Sequence, residues 1–283
     1  MTDRQTYSSI SLFSGAGGMD VGFARAGFQS KVVCEVDKDA CGTLSANLSL
    51  IGHKSNIINP SDILSIDYET LPKEVNVIFG GPPCQGFSVA GKMNPDDSRS
   101  QLIFKFLDCV NHVKPLGFVC ENVKALAISK RWENVRSALF DEVMQDYTST
   151  IILLNSMEYG VPQARERMFF IGIRKDIFSG DADELHFKLQ KNLTQYRKLP
   201  ISIGRLIQKF GKAGSEVNPI TCTAKIMYAK NPVLRRSPYA GMLFNGAGRP
   251  LSVDKYSSTL PASMGGNKTP IVDEDEIFNG KTS

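Results

Sequence analysis

No apolar run in this 283-residue chain approaches the ~20 residues needed to cross a bilayer as a helix, so the sequence gives no reason to expect a membrane protein. Residues 1–30 lack the basic stretch followed by an apolar segment that marks a secretory leader, and a cytoplasmic setting is expected. Cysteine is sparse: Cys34, Cys41, Cys84, Cys109, Cys120 and Cys222 never fall into Cys-x-x-Cys, which removes the strongest zinc and redox-pair signals. No metal is expected, and all the cysteines except Cys84 read as small buried hydrophobes in a reducing compartment. Internal repeats and low-complexity tracts are also lacking, which excludes solenoids and disordered arrays. What is present is ordinary for a globular chain, with 42% hydrophobic and 22% charged residues. At ~150 residues per domain the length fits about two domains.

The net charge of +4 is unevenly distributed. Residues 1–175 are nearly neutral at −1, residues 176–272 carry +8, and residues 273–283 carry −3. A neutral part followed by a basic one fits a phosphate-bearing partner, while a solvated basic surface remains the plain alternative.

In the first 175 residues short apolar runs alternate with helical patterns. Strands are expected at 8–13, 31–36, 75–79, 117–120, 148–154 and 167–173, and helices from the glycines at 15–18 to about 26, then at 37–50, 100–113 and 132–145. This rhythm predicts an α/β fold, a doubly wound and mostly parallel sheet with helices on both faces. After about residue 175 glycine, proline, asparagine and lysine interrupt the pattern, and a smaller irregular domain is expected over 176–283.

Ligands of such sheets bind at the carboxyl ends of strands. Phe13-Ser14-Gly15-Ala16-Gly17-Gly18 lies at one such end, where glycines let a backbone approach a ligand closely. Glu35 follows Gly15 by 20 residues at the end of the second strand, where a carboxylate accepts ribose hydroxyls. Asp20 stands where a dinucleotide fingerprint needs its third glycine, which leans the reading towards phosphate-free S-adenosylmethionine. Asp62-Ile63 could hold the adenine.

Gly80-Gly81-Pro82-Pro83-Cys84-Gln85-Gly86-Phe87-Ser88 presents a cysteine at a strand end behind two prolines that fix the backbone. The polar stretch 85–99 reads as a lid. Glu121, after the neighbouring strand, can face the same pocket and serve as the proton donor a nucleophilic cysteine requires. His53, His112 and His186 have no comparable setting, which argues against a cysteine hydrolase. Arg165 and Arg167 in Gln163-Ala164-Arg165-Glu166-Arg167 point to one face of an extended segment, where they could clamp an anion or orient Glu121.

Taken in order, these segments resemble the DNA (cytosine-5)-methyltransferase family. Pro82-Pro83-Cys84-Gln85 and Glu121-Asn122-Val123 carry the resemblance most specifically, and Ser258-Thr259-Leu260-Pro261-Ala262-Ser263 is similar to the Thr-Leu segment of the family's target-recognition domain. The resemblance implies a catalytic S-adenosylmethionine-binding domain over 1–175 and a target-recognition domain over 176–283. It implies a covalent adduct of Cys84 with a flipped cytosine, with Glu121, Arg165 and Arg167 as its partners. Phe13, Gly15, Gly17, Gly18, Glu35, Asp62, Ile63, Gly81, Pro83 and Leu102 would form the cofactor site. Gln85, Ser88, Arg99, Thr259 and Leu260 would meet double-stranded DNA, in a restriction-modification setting.

The family's later arginine-rich helix and Gly-Asn-x-Val segment do not follow in this sequence. The expectation is a recognition domain incomplete at its C-terminal end, with a second polypeptide or truncation as the explanation. The competing readings are transfer RNA as the substrate, a DNA-binding homologue without catalysis and, remotely, a nicotinamide-dependent oxidoreductase.

Overall fold

A computed structural model describes residues 6–53, 58, 60–83, 101–212, 214–219, 234–236, 243–245, 249–260 and 270–281. Cys84, Gln85, Ser88, Arg99 and 261–263 lie outside the described residues. The chain divides into two compact units, residues 1–154 with 167–193, and residues 155–166 with 194–283.

The first unit opens with β1 (Tyr7–Leu12), α1 (Gly18–Arg25), β2 (Phe28–Cys34) and α2 (Lys38–Ala46). There follow β3 (Val77–Gly80), α3 (Leu102–Val113), β4 (Gly117–Val123), the short α4 (Lys124–Ile128) and α5 (Glu133–Val143). β5 (Tyr147–Asn155) leads through β6 (Gln163–Ala164) of the second unit back to β7 (Glu166–Arg174), and α6 (Ala182–Thr194) ends the first unit. The main sheet has the order β2-β1-β3-β4-β7-β5. β2, β1, β3 and β4 pair in parallel, and β7 runs antiparallel to β4. This is the mostly parallel sheet that the rhythm of the sequence predicts.

Each element follows from local chemistry. β3 is buried along its whole length, Val77–Gly80, as expected of a central parallel strand covered on both faces. In α3 the buried Ile103, Phe106, Leu107, Val110 and Val113 recur at helical spacing. α3 stops at Lys114, whose φ of 54° is left-handed, and Pro115 follows. Asp37 caps α2 by accepting a hydrogen bond from the Ala40 N–H at 2.8 Å.

Phe118 of β4 centres the core, with edge-on contacts to Phe170 at 5.2 Å and Tyr147 at 5.3 Å between ring centroids. Gly172 leaves room for that ring, because a Cβ there would collide with the Phe118 ring. The Tyr147 hydroxyl is satisfied by donating to the Pro115 carbonyl at 2.9 Å.

The region after residue 175 is more regular than expected. α6 extends the first unit beyond the expected boundary, and 155–166 belongs with the second unit. The start of α6 is written in Asp181, whose side chain accepts from the Glu184 N–H at 2.8 Å.

The second unit contains β6, α7 (Ile203–Phe210), β8 (Leu234–Arg236), β9 (Leu243–Asn245), β10 (Arg249–Pro250), β11 (Ser257–Ser258), β12 (Pro270–Ile271) and α8 (Glu274–Asn279). Among the described residues its strands form three two-stranded pairings, β6 with β11, β8 with β9 and β10 with β12. Gly204 of α7 lies under the Val253 carbonyl, which accepts its N–H at 2.8 Å.

Candidate active site

The order β2-β1-β3 means that the chain leaves β1 in one direction and returns on its other side, which opens a crevice at the carboxyl ends of these strands. A cavity of about 280 Å³ lies there, lined by Phe13 and Gly15 after β1, Glu35 and Val36 after β2, and Gly81 and Pro83 after β3. Cys34, Ser61, Asp62, Ile63 and Leu102 complete it. Eight residues expected at a cofactor site therefore share one wall: Phe13, Gly15, Glu35, Asp62, Ile63, Gly81, Pro83 and Leu102.

Gly17 and Gly18 are not among the lining residues. Gly17 caps α1 at a φ of 85° and packs against α2, where an added Cβ would come within 2.8 Å of Leu44. Sequence reasoning missed Cys34, Val36 and Ser61. Val36 had a readable signal, an apolar residue directly after a strand-end carboxylate, and it is 62% exposed beside Glu35.

The backbone holds Glu35 in place. Its Oε2 accepts from the Gly15 N–H at 2.6 Å, and its Oε1 accepts from the N–H groups of Val36 at 2.9 Å and Asp37 at 2.8 Å. An ionised carboxylate has about four acceptor positions, so these three bonds leave Oε2 capacity for a ligand hydroxyl. The Ser61 N–H donates to the Glu35 carbonyl at 2.7 Å, which binds the Asp62 segment to the same strand end. Asp62 caps a short helical turn through the Leu64 N–H at 3.0 Å. Among the described residues the lining contains two carboxylates and no lysine or arginine.

The second half of the site lies one strand over. Gly80 pairs with Cys120, so Gly81 and Glu121 are neighbours at the ends of β3 and β4. A Cβ on Gly81 would lie 3.0 Å from Glu121 Oε2, so the glycine leaves room for the carboxylate. Arg167 Nε donates to Glu121 Oε1 at 2.8 Å, with both side chains about one-fifth exposed. The antiparallel register sets this pair, placing Arg167 opposite Val123, two residues beyond Glu121.

Asn122 is 1% exposed, and its amide Nδ2 donates to the Pro82 carbonyl at 3.3 Å. Its Oδ1 accepts from the Val123 N–H at 2.9 Å. The backbone two residues before Cys84 is thereby tied to β4.

Arg165 belongs to the second unit, where its carbonyl accepts from the Ser156 N–H at 3.0 Å. The Thr259 hydroxyl donates to the Ala164 carbonyl at 2.8 Å, and Leu260 is 43% exposed. Thr259 therefore braces the Gln163-Ala164-Arg165 segment from β11. Among the described residues no cluster of three or more histidine, cysteine, aspartate or glutamate side chains could hold a metal ion. No described helix is long and apolar enough to cross a membrane.

The model of the C-5 cytosine-specific DNA methylase family matches residues 7–232. The Type II methyltransferase M.FnuDI of Fusobacterium nucleatum is 41% identical over 169 residues, which cover 59% of this chain and 47% of that one. M.NgoPII of Neisseria gonorrhoeae, also a Type II methyltransferase, is 37% identical over 201 residues, 70% of this chain and 55% of that one. A solved prophage-encoded protein of E. coli, assigned as a DNA modification methyltransferase, matches with a TM-score of 0.51 at 35% identity, over 61% of this chain and 48% of that one. The chain spans about half the length of these three proteins.

Proposed function

The chain belongs to the C-5 cytosine-specific DNA methylase family, and on that premise we propose that it transfers a methyl group from S-adenosylmethionine to carbon 5 of a cytosine flipped out of double-stranded DNA. The observation that carries this reading is the Glu121–Arg167 pair at 2.8 Å, packed against the Gly81 that opens the run to Cys84.

Family membership implies S-adenosylmethionine as the cofactor, and the cavity fits it. Glu35 offers acceptor capacity to a ribose, while Val36, Ile63, Pro83 and Leu102 supply apolar surface for an adenine. The two carboxylates, Glu35 and Asp62, favour a phosphate-free, positively charged ligand over a pyrophosphate. When bound, the cofactor supplies the methyl group.

The rest of the chemistry falls to the chain's own side chains. Carbon 5 of cytosine is a weak nucleophile. The Cys84 thiolate adds to carbon 6, and the electron pair of the 5,6 double bond becomes available at carbon 5. Glu121 hydrogen-bonds or protonates ring nitrogen 3 and so offsets the charge that develops, a contribution of about 10²–10⁴ in rate for general acid catalysis. Arg167 holds the Glu121 carboxyl in position, and Arg165 orients the ring. After methylation a base removes the carbon 5 proton, the double bond re-forms, Cys84 leaves as the thiolate, and the Glu121 carboxylate takes back any proton it gave to ring nitrogen 3. The target must leave the base stack, at a cost of a few kcal/mol. Gln85, Ser88, Arg99, Thr259 and Leu260 would then meet the DNA, Thr259 also acting through the brace it makes on the Ala164 carbonyl.

The +8 segment over 176–272 supports duplex DNA as the partner, since lysine and arginine release counterions from phosphates. The Type II names of the relatives support a modification role in a restriction-modification system, and a cytoplasmic setting goes with that reading. Nothing in the comparisons adds a second polypeptide to this reading.

Trapping tests it. With S-adenosylmethionine and duplex DNA substituted with 5-fluorocytosine, the chain is expected to form an adduct that survives denaturing electrophoresis and is absent in Cys84→Ser. No adduct under conditions that trap a full-length relative would overturn the covalent reading. Methyl transfer to transfer RNA but not to duplex DNA would reassign the substrate.

A further inference from the structure

Arg165 stands between β6 and β7 in the chain and is part of neither strand. β6 is two residues long and pairs with β11 at Ser257↔Gln163 and Ser258↔Ala164. So short a ladder does little to fix the direction in which the next side chain leaves the backbone. The carbonyls along the segment alternate in direction. Those of Pro162 and Ala164 turn towards β11, accepting from the Ser257 N–H at 2.9 Å and the Thr259 hydroxyl at 2.8 Å. Those of Gln163 and Arg165 turn the other way, and both end on one residue, Ser156.

The Ser156 hydroxyl donates to the Gln163 carbonyl at 2.7 Å, and the Ser156 N–H donates to the Arg165 carbonyl at 3.0 Å. Ser156 opens a short helical turn, Ser156–Glu158, whose start is capped by the Asn155 side chain accepting from the Met157 N–H at 3.3 Å. The Ser156 carbonyl closes the turn by accepting from the Tyr159 N–H at 3.1 Å. Its far side is fastened at Glu158, whose carbonyl accepts from the Lys198 N–H at 2.7 Å and whose carboxylate pairs with Arg197 at 3.2 Å. All of these residues belong to the second unit.

We propose that Ser156 is a positioning residue for Arg165, its hydroxyl and N–H clasping the Gln163 and Arg165 carbonyls from the side opposite β11 and so setting the direction of the Arg165 side chain. The proposal rests on the reading that Arg165 orients the cytosine ring. Acceptors two residues apart lie about 6.6 Å apart along a strand. Two donors held at that spacing resist rotation of the segment about its own axis, which a single donor does not. Without the hydroxyl the Gln163 carbonyl loses this partner, and the clasp keeps only the bond to the Arg165 carbonyl. A guanidinium at the end of a long side chain magnifies any rotation of its backbone, and a misplacement of ~1 Å can cost about 10²-fold in rate.

The test is steady-state methyl transfer to duplex DNA by the whole 283-residue chain. Ser156→Ala is expected to lower kcat about five- to tenfold, the worth of one good hydrogen bond, with KM for S-adenosylmethionine within about twofold of the wild type. Ser156→Thr keeps the hydroxyl and should restore most of the loss, and melting curves report whether each variant is folded. In an Arg165→Ala background the Ser156→Ala change should cost almost nothing more, because its effect passes through Arg165. Ser156→Ala with the kcat of the wild type, Ser156→Thr no better than Ser156→Ala, or a full Ser156→Ala loss in the Arg165→Ala background overturns the proposal. Arg165→Ala alone tests the parent reading. Unchanged kcat in that variant overturns the role of Arg165 at the ring, and a wild type that transfers no methyl group to duplex DNA overturns the proposed function and this proposal together.

Discussion

The two compact units handle burial in opposite ways. In the first, Ile10, Phe106, Phe118, Trp132, Tyr147 and Phe170 all have 2% or less of their surface exposed. Among the described residues of the second, Ile277 is the only hydrophobic side chain in the fully buried class. Charge follows the same division, with the +8 segment lying mostly in the burial-poor unit. The difference fits the division of labour that the proposed function would require. A carboxylate that must meet one ring nitrogen needs a scaffold that holds it within a fraction of an ångström, and close-packed burial supplies that rigidity. A surface meant for a polyanion must keep its lysines and arginines hydrated until the partner arrives, so it contributes little to a core.

The largest test of this contrast is kinetic. Glu121→Gln keeps the volume and an acceptor for Arg167 but removes the proposed proton donor. Methyl transfer is expected to fall by about 10²–10⁴, with the melting temperature changed by no more than a degree or two. If melting fell with activity, Glu121 would be part of the scaffold, and the separation between rigid support and chemistry would fail.

Next come paired truncations, one in each unit. Phe118→Ala removes a ring packed against Phe106, Tyr147 and Phe170, at an expected cost of about 3–5 kcal/mol. Amide exchange should then speed up throughout the main sheet. Ile277→Ala should cost about 2 kcal/mol, the low end for such a change, with faster exchange confined to α7, α8 and their turns. α7 is fastened there by Gln208, whose side-chain amide donates to the Ile277 carbonyl at 3.0 Å. Exchange spreading from Ile277 into the main sheet would show that the units do not unfold separately.

The parts of this arrangement legible in the sequence were those with local causes. Strand ends, the glycine loop, Glu35 and the Pro-Pro-Cys run announce themselves in short windows, and the structure gathers eight expected lining residues around one cavity. What escaped depends on distance. That Gly17 packs against α2 is decided by Leu44, 27 residues away. That Asn122 ties down the Pro82 carbonyl depends on β3 and β4 lying side by side. α6 was missed for a different reason, because its composition is polar and only Leu185 is buried, so hydrophobic spacing was weak although Asp181 marked its start.

The smallest expected effect compares two buried carboxyls, one in each unit. Asp273 is 2% exposed and caps α8, accepting from the N–H groups of Asp275 at 3.0 Å and Glu276 at 3.3 Å. Asp273→Ala should therefore destabilise the second unit by about 1 kcal/mol. Asp20 differs because burial holds its carboxyl above the 3.8 of an unperturbed aspartate. Between that value and its folded one, the native chain keeps a proton that the unfolded chain has released. Stability therefore falls as pH rises through this window and levels off above it. Asp20→Asn removes that slope. In denaturant titrations the variant should be more stable than the wild type at neutral pH, by an amount on the order of 1 kcal/mol, and the gap should close as pH falls towards 3.8. A gap that stayed constant with pH would mean that burial does not raise the Asp20 carboxyl in the folded chain, and the contrast between a carboxyl that caps and one that is only buried would collapse.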